Sequence, residues 1–315
     1  MLNIPKEKLG PAIDIIRRVI IVLLAVVSLV SLVASASIMV ARKTLSEETM
    51  DKIVSTIEVD SEKNTIDEWV YLYFANNYPD YLDDFHITQE GVSYCLDYSN
   101  FAEFMRQKLK DYTSDILHNS GTGIMTSDEF MDFIEENREV IETGSRAYGD
   151  AELEEIRNYF RNMDMFLDIS LESICEKIGF KLTTLQSFLE RSTLFLFITL
   201  FIVSTFFIML LARRRIIPLL TVGINSFITG FLFLILYFVL EKILTQVAVS
   251  IQMGASLISS IIAPVSNIFI VTAVLALAIG FVCINLVIMV PALRRLSKES
   301  SKESETPIVE QEENA

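Results

Sequence analysis

Residues 193–240 read TLFLFITLFIVSTFFIMLLA, RRR and IIPLLTVGINSFITGFLFLILYFVL in succession. The two apolar arms, 193–212 and 216–240, each match the roughly 20 residues that a helix rising about 1.5 Å per residue needs to cross a hydrocarbon core of about 30 Å. Arg213, Arg214 and Arg215 cannot rest in hydrocarbon, and three residues cannot cross it. The triplet is therefore expected at the tip of a helical hairpin on one membrane face. Short arginine-rich loops stay on the cytoplasmic side, so this tip sets the orientation of the rest.

Two further runs complete the pattern. Residues 19–41 carry no charge and follow Arg17 and Arg18, with Pro11 expected near the helix start, where its missing N–H has no partner to lose. The run includes Ala34-Ser35-Ala36, which also fits a cleavable signal peptide. Its continuation through Ile38, Met39 and Val40 favours a retained anchor. Residues 265–291 form the last span, followed by Arg294 and Arg295. The tail, 292–315, repeats Ser-Lys-Glu-Ser, is poor in apolar residues and is expected to be disordered. The arrangement predicts a multi-pass protein of the cell membrane with four spans and both ends, 1–18 and 292–315, cytoplasmic.

Charge is segregated in the same way. The chain has a net charge of −15, yet residues 41–192 hold 32 acidic and 14 basic side chains, a net of −18. Residues 42–192 are expected to form an exported, acidic, mainly helical domain. Such a domain has no electrostatic affinity for nucleic acid. Helices are predicted over 45–59, 99–116 and 151–167, with another near 170–178 that stops at Gly179. Thr126-Ser127-Asp128-Glu129 fits a capping box. The apolar spacing of Phe130, Phe133, Ile134, Val140 and Ile141 continues that helix until a glycine-containing loop at 143–150. Residues 182–192 are expected to lead helically into the second span. The fold class is all-α.

The outer segment 241–264 contains an uncharged amphipathic stretch, 243–263, with Gln246, Ser250 and Ser256 on its polar side and Pro264 at its end. It suits an interfacial helix, a re-entrant segment or a projection of the third span. Within the spans Asn225, Asn267 and Asn285 are the strongest polar groups. Interhelical hydrogen bonding is the simplest role for them, and with Gln246, Ser250 and Ser256 they are also the candidates for lining a polar path. Small residues recur at Gly223, Ser226 and Gly230, and at Thr272, Ala276 and Gly280, which suits close helix packing in a bundle or a homo-oligomer.

No HExxH, CxxC, GxSxG, P-loop or GxGxxG pattern occurs. Neither a catalytic residue, a metal site nor a cofactor is therefore predicted. Cys95 and Cys175 are the candidate disulfide of an exported domain. The densest candidate for a ligand or a protein partner is an aromatic-acidic stretch that includes Trp69, Tyr71, Tyr73, Tyr78, Tyr81, Asp83 and Asp84. Tyrosine and tryptophan beside carboxylates suit cationic ligands, and they equally suit the domain's own core. The single large loop of this four-span layout resembles claudin-type topology, but the paired-cysteine signature is missing and no function carries over. The expected function is a non-enzymatic membrane protein whose exported domain binds a partner or ligand, in sensing, assembly or scaffolding. The alternative is a channel or transporter subunit.

Overall fold

A computed structural model describes residues 6–59, 70–72, 75–76, 79, 88–148, 152–162, 170–212, 216–250 and 255–303. No strand occurs among them. Among the described residues, four helices are long and apolar enough to cross a membrane, over Ile13–Thr44, Arg191–Leu211, Ile216–Leu240 and Ile262–Met289. The helices in chain order are α1 (Lys6–Thr44), α2 (Glu47–Val59), α3 (Gln89–Tyr98), α4 (Phe101–His118), α5 (Ser127–Glu136) and α6 (Arg138–Tyr148). They continue as α7 (Leu153–Asn162), α8 (Leu171–Ile178), α9 (Leu182–Leu189), α10 (Arg191–Leu211), α11 (Ile216–Ser250) and α12 (Ala255–Glu303).

The chain divides into two compact units. One comprises Met1–Val33, Phe197–Leu232 and Ala273–Ala315; the other comprises Ala34–Leu196 and Phe233–Thr272. In the first, α11 and α12 approach so closely that their glycines are required. A Cβ on Gly280 would sit 2.9 Å from the Gly223 carbonyl oxygen, and one on Gly230 would sit 3.0 Å from that of Ala273. The small-residue stripes of the two helices thus serve packing within the chain. Ser28, Ser31, Ser204, Asn225, Ser226 and Thr229 are buried in this unit, while large apolar residues such as Val22, Ile202, Ile228 and Phe281 are exposed. Apolar exterior and small polar interior is the distribution expected of helices solvated by lipid.

In the second unit, Met131, Phe133, Ile134, Leu153, Ile156 and Phe160 form a buried core with Phe101, Phe104, Phe130, Ile141 and Tyr71 packed against it. The rings interlock, with centroids 4.9 Å apart for Phe104 and Phe133 and 4.9 Å for Phe130 and Phe160. Each fully buried side chain of this size contributes roughly 1.5–3 kcal/mol before entropy is charged against it. The core joins α5 to α7 and the first turn of α4.

Several expectations need correction. The helix that opens at Thr126 does not run on to Ile141. Asn137 interrupts it, donating its side-chain amide to the Phe133 carbonyl at 2.9 Å and accepting the Asn100 amide at 2.9 Å. The Asn137 backbone amide also reaches the Phe133 carbonyl, at 3.1 Å, so the side chain adds a second bond at the C-cap (φ −106°, ψ 20°), where the chain turns. Residues 143–148 are helical rather than a loop, because Gly144 lies where α6 crosses α3: a Cβ there would meet Cys95 Sγ at 2.8 Å and Tyr94 Cδ1 at 3.0 Å. The glycine marks a crossing, not a break. Residues 182–192 are not one helix with the second span, since Glu190 is extended (φ −60°, ψ 144°) between α9 and α10.

Neither proline bounds its helix: Pro264 was expected at a helix end and Pro11 at a helix start. Pro264 lies inside α12 and Pro11 inside α1, each removing one hydrogen bond from a helix otherwise held together by lipid and neighbours. Residues 243–250 belong to α11, which extends the third span, and 255–263 open α12; 251–254 lie outside the described residues. Residues 292–303 are helical, not disordered. A sequence too polar to fold alone can still propagate a helix already nucleated by a span.

Candidate functional site

The best-constructed site lies where the helical domain meets the ends of α1 and α10. A helix end leaves its last carbonyls without partners, and two such ends are satisfied here by other elements. At the end of α1, the hydroxyls of Ser46 and Thr49 donate to the Lys43 carbonyl at 2.7 and 2.8 Å, which turns the chain into α2. At the end of α9, Arg42 Nη1 donates to the Leu189 carbonyl at 2.5 Å. Arg42 closes the last turn of α1, and Leu189 immediately precedes the extended Glu190, so this one contact ties together two span ends. Leu189 itself is fully buried.

The domain reaches this joint through α4. Lys110 pairs with Glu47 in the first turn of α2 at 2.9 Å and stands 3.7 Å from Asp51. The hydrogen bond to Glu47 holds the Lys110 ammonium above its usual range. Glu48 bridges Lys43 and Lys52, and those two bonds bring its carboxyl down to about 2. Five residues further along α4, the buried Asp115 organises the next loop. It accepts the amides of Gly121 at 2.9 Å and Gly123 at 3.1 Å. Asn119 in the left-handed region (φ 53°) ends α4 and lets the chain fold back over that carboxylate. Gln186 of α9 donates to the Asp115 carbonyl at 3.0 Å and to Oδ1 at 3.3 Å. A cavity of about 500 Å³ opens beside this contact, lined among others by His118, Asn119, Gln186, Glu190, Arg191 and Ser192. Its lining holds both signs of charge, Glu190 and Arg191.

A second polar cluster stabilises the α4–α5 corner. Lys108, buried, lies 2.5 Å from Glu129 and 3.6 Å from Asp111. Glu129 also completes the capping box, accepting the Thr126 amide at 2.9 Å while Thr126 Oγ1 accepts the Glu129 amide at 3.2 Å. Partial burial opposes its ionisation, but Lys108 and Thr126 prevail and hold its carboxyl below the usual range. Burial, reinforced by the Glu129 charge, pushes the neighbouring Tyr112 phenol up to about 12.

The residues singled out by sequence are dispersed. Arg17 and Arg18 both pair with Asp14, at 2.8 and 3.3 Å. Arg294 and Arg295 fall in the helical continuation of α12, and Arg213, Arg214 and Arg215 lie outside the described residues. So do Trp69, Tyr73, Tyr78, Tyr81, Asp83 and Asp84; Tyr71 packs against the core. Asn225 donates to Ser28 Oγ at 3.2 Å and to the Ala25 carbonyl at 3.3 Å, which joins α11 to α1. Asn285 donates to the Phe281 carbonyl of its own helix at 2.8 Å. Asn267 and Gln246 are exposed, and the side chains of Ser250 and Ser256 lie outside those described.

Cys95 and Cys175 are free thiols. Burial raises both, Cys95 to about 11. No group of three metal-ligating side chains occurs among the described residues.

Arg42, Lys110, Asp115 and Gln186 were not singled out from sequence. Arg42 reads there as the charged end of a span, and nothing in the spacing couples residues 147 or 71 positions apart. Compared with models of protein families, with curated proteins and with solved structures, the chain matches none.

Proposed function

We propose that this is a non-enzymatic membrane protein whose acidic helical domain is extracytoplasmic and binds a protein partner or a cationic ligand, in sensing or assembly. The observation that supports this best is the joint at Arg42 and Leu189. A domain with its own core is connected through Asp115, Gln186 and Leu189 to the ends of two spans. A load placed on the domain therefore acts directly on α1 and α10. The charge pattern supports the orientation: Arg17, Arg18, Arg213–Arg215, Arg294 and Arg295 flank the spans on the side opposite residues 42–192.

Two measurements test the proposal on the full-length chain. With native cysteines replaced, a cysteine at Tyr98, which is exposed, is expected to react with a membrane-impermeant maleimide on intact cells, whereas one at Lys302 reacts only after lysis. The opposite pattern overturns the orientation. In nanodiscs, cross-linking against extracytoplasmic extract is expected to capture a species whose recovery drops when Trp69 and Tyr71 are changed to alanine. Recovery insensitive to every substitution on the domain's surface would remove the binding role.

A further inference from the structure

We propose that the α8–α9 turn is a foot that inserts into the headgroup region of the bilayer beside α10, with Phe180 and Phe188 as its apolar contacts and Lys181 at the level of the lipid phosphates. The inference rests on α1 and α10 crossing the membrane. It requires neither the proposed orientation nor a partner.

The position of the foot follows from the joint. Arg42 and Arg191, at the ends of two spans, flank Leu189 at the end of α9. Eight residues of helix measure about 12 Å, so the whole of α9 stays close to the level at which α1 and α10 leave the membrane. The other side of this base is the last part of α4, which runs from Lys110, paired with Glu47 just beyond the α1 exit, to Asp115, bonded to Gln186. The domain thus presents α9 and the end of α4 towards the membrane.

The surface there suits lipid. Outside the four spans, seven large apolar side chains are exposed among the described residues, and four of them are Ile124, Ile174, Phe180 and Phe188. The Leu171 amide, opening α8, donates to the Gly123 carbonyl at 2.7 Å, which holds the residue before Ile124 against the start of α8. Phe180 is 61% exposed although its backbone is fixed: Gly179 is left-handed (φ 83°), and the Phe180 amide donates to the Cys175 carbonyl at 2.9 Å. That closure presents an aromatic ring at the tip of a rigid turn.

Single exposed apolar residues mean little, but two exposed aromatic rings on and just before the short helix that leads into a span do not suit water. Charge agrees. The domain as a whole is strongly acidic, yet residues 174–191 carry Lys177, Lys181 and Arg191 against Glu176 and Glu190. Lysines whose stems lie along apolar surface keep their ammonium groups at headgroup level.

The test uses the full-length chain in phosphatidylcholine liposomes, with Trp69→Phe removing the native tryptophan and a reporter placed by Phe180→Trp or Phe188→Trp. Each reporter is expected to emit to the blue of a water-exposed tryptophan, to lose most of its emission when the lipid acyl chains are brominated, and to resist acrylamide. Tyr98→Trp, away from the foot, should behave in the opposite way on all three counts. Adding phosphatidylglycerol should deepen the lipid quenching at position 180, and Lys181→Glu should reverse that gain. Red emission with acrylamide quenching at both foot positions would overturn the proposal. Shielding from acrylamide and from brominated lipid alike would also overturn it, since protein rather than lipid would then cover the foot. Loss of partner capture leaves this readout unchanged, so the two proposals fail separately.

Discussion

At Gly144 two opposed terms can be weighed. In a helix interior alanine is better than glycine by about 1 kcal/mol, so Gly144→Ala would stabilise an isolated α6. In the folded chain the added methyl meets Cys95 Sγ at 2.8 Å and Tyr94 Cδ1 at 3.0 Å. Overpacking of this kind costs about 1–3 kcal/mol, so steric conflict outweighs propensity. Gly144→Ala is expected to lower the unfolding midpoint, and the loss should shrink when Cys95→Ala removes the sulfur. Equal losses in both backgrounds, measured by thermal or denaturant unfolding, would show that Cys95 is not the obstacle. The same contact explains why residues 143–148 look like a loop in the sequence and are helical in the fold. Glycine in a polar stretch signals a loop when only neighbours in sequence are considered, and its actual neighbour is 49 positions away.

Among the elements, α5 was the most legible because its signal is local. Thr126 and Glu129 are three residues apart, and the capping box between them is present as the spacing implies. Thr126→Ala should cost about 1 kcal/mol. Glu129→Ala should cost more, since it also removes the partner at 2.5 Å from the buried Lys108. Guanidinium unfolding of the two variants gives the order; equal losses would mean that the Lys108 pair adds nothing to the cap. Acid is expected to have a related effect. The Glu129 carboxyl is held below its ordinary value, so its contribution is complete above that value and is lost as pH falls through the lower, folded one. The ends of α9 and of the Asn137 break carried no comparable signal. Glu190 and Asn137 are ordinary helix-surface residues by spacing, and their roles come from Arg42 and Asn100.

For the whole molecule, the membrane-spanning part is built around polar contacts that composition cannot rank. Three asparagines stand in or near the spans, yet only Asn225 is buried against another helix, bonded to Ser28 and Ala25. Interhelical bonds in membranes are worth about 0.6–2 kcal/mol. Asn225→Leu should destabilise the folded protein by that order in detergent unfolding, and Asn285→Leu should change it little. In a double-mutant cycle, Asn225→Ala and Ser28→Ala should be non-additive. Strict additivity would mean that Asn225 acts alone.

Sequence by itself determined the four apolar helices, the all-α class, the acidic helical segment between the first two spans and the local caps at Thr126 and Gly179. All of these depend on burial in lipid, on charge segregation or on bonds spanning a few residues, and each leaves a periodic or compositional trace. Tertiary structure alone decided that the third span continues to Ser250, that Pro264 lies within α12, and that Arg42 holds the Leu189 carbonyl. It also selected Asn225 among three equivalent asparagines. Those outcomes depend on which distant group arrives to satisfy a carbonyl or fill the space beside a glycine. Only the folded chain brings such groups together.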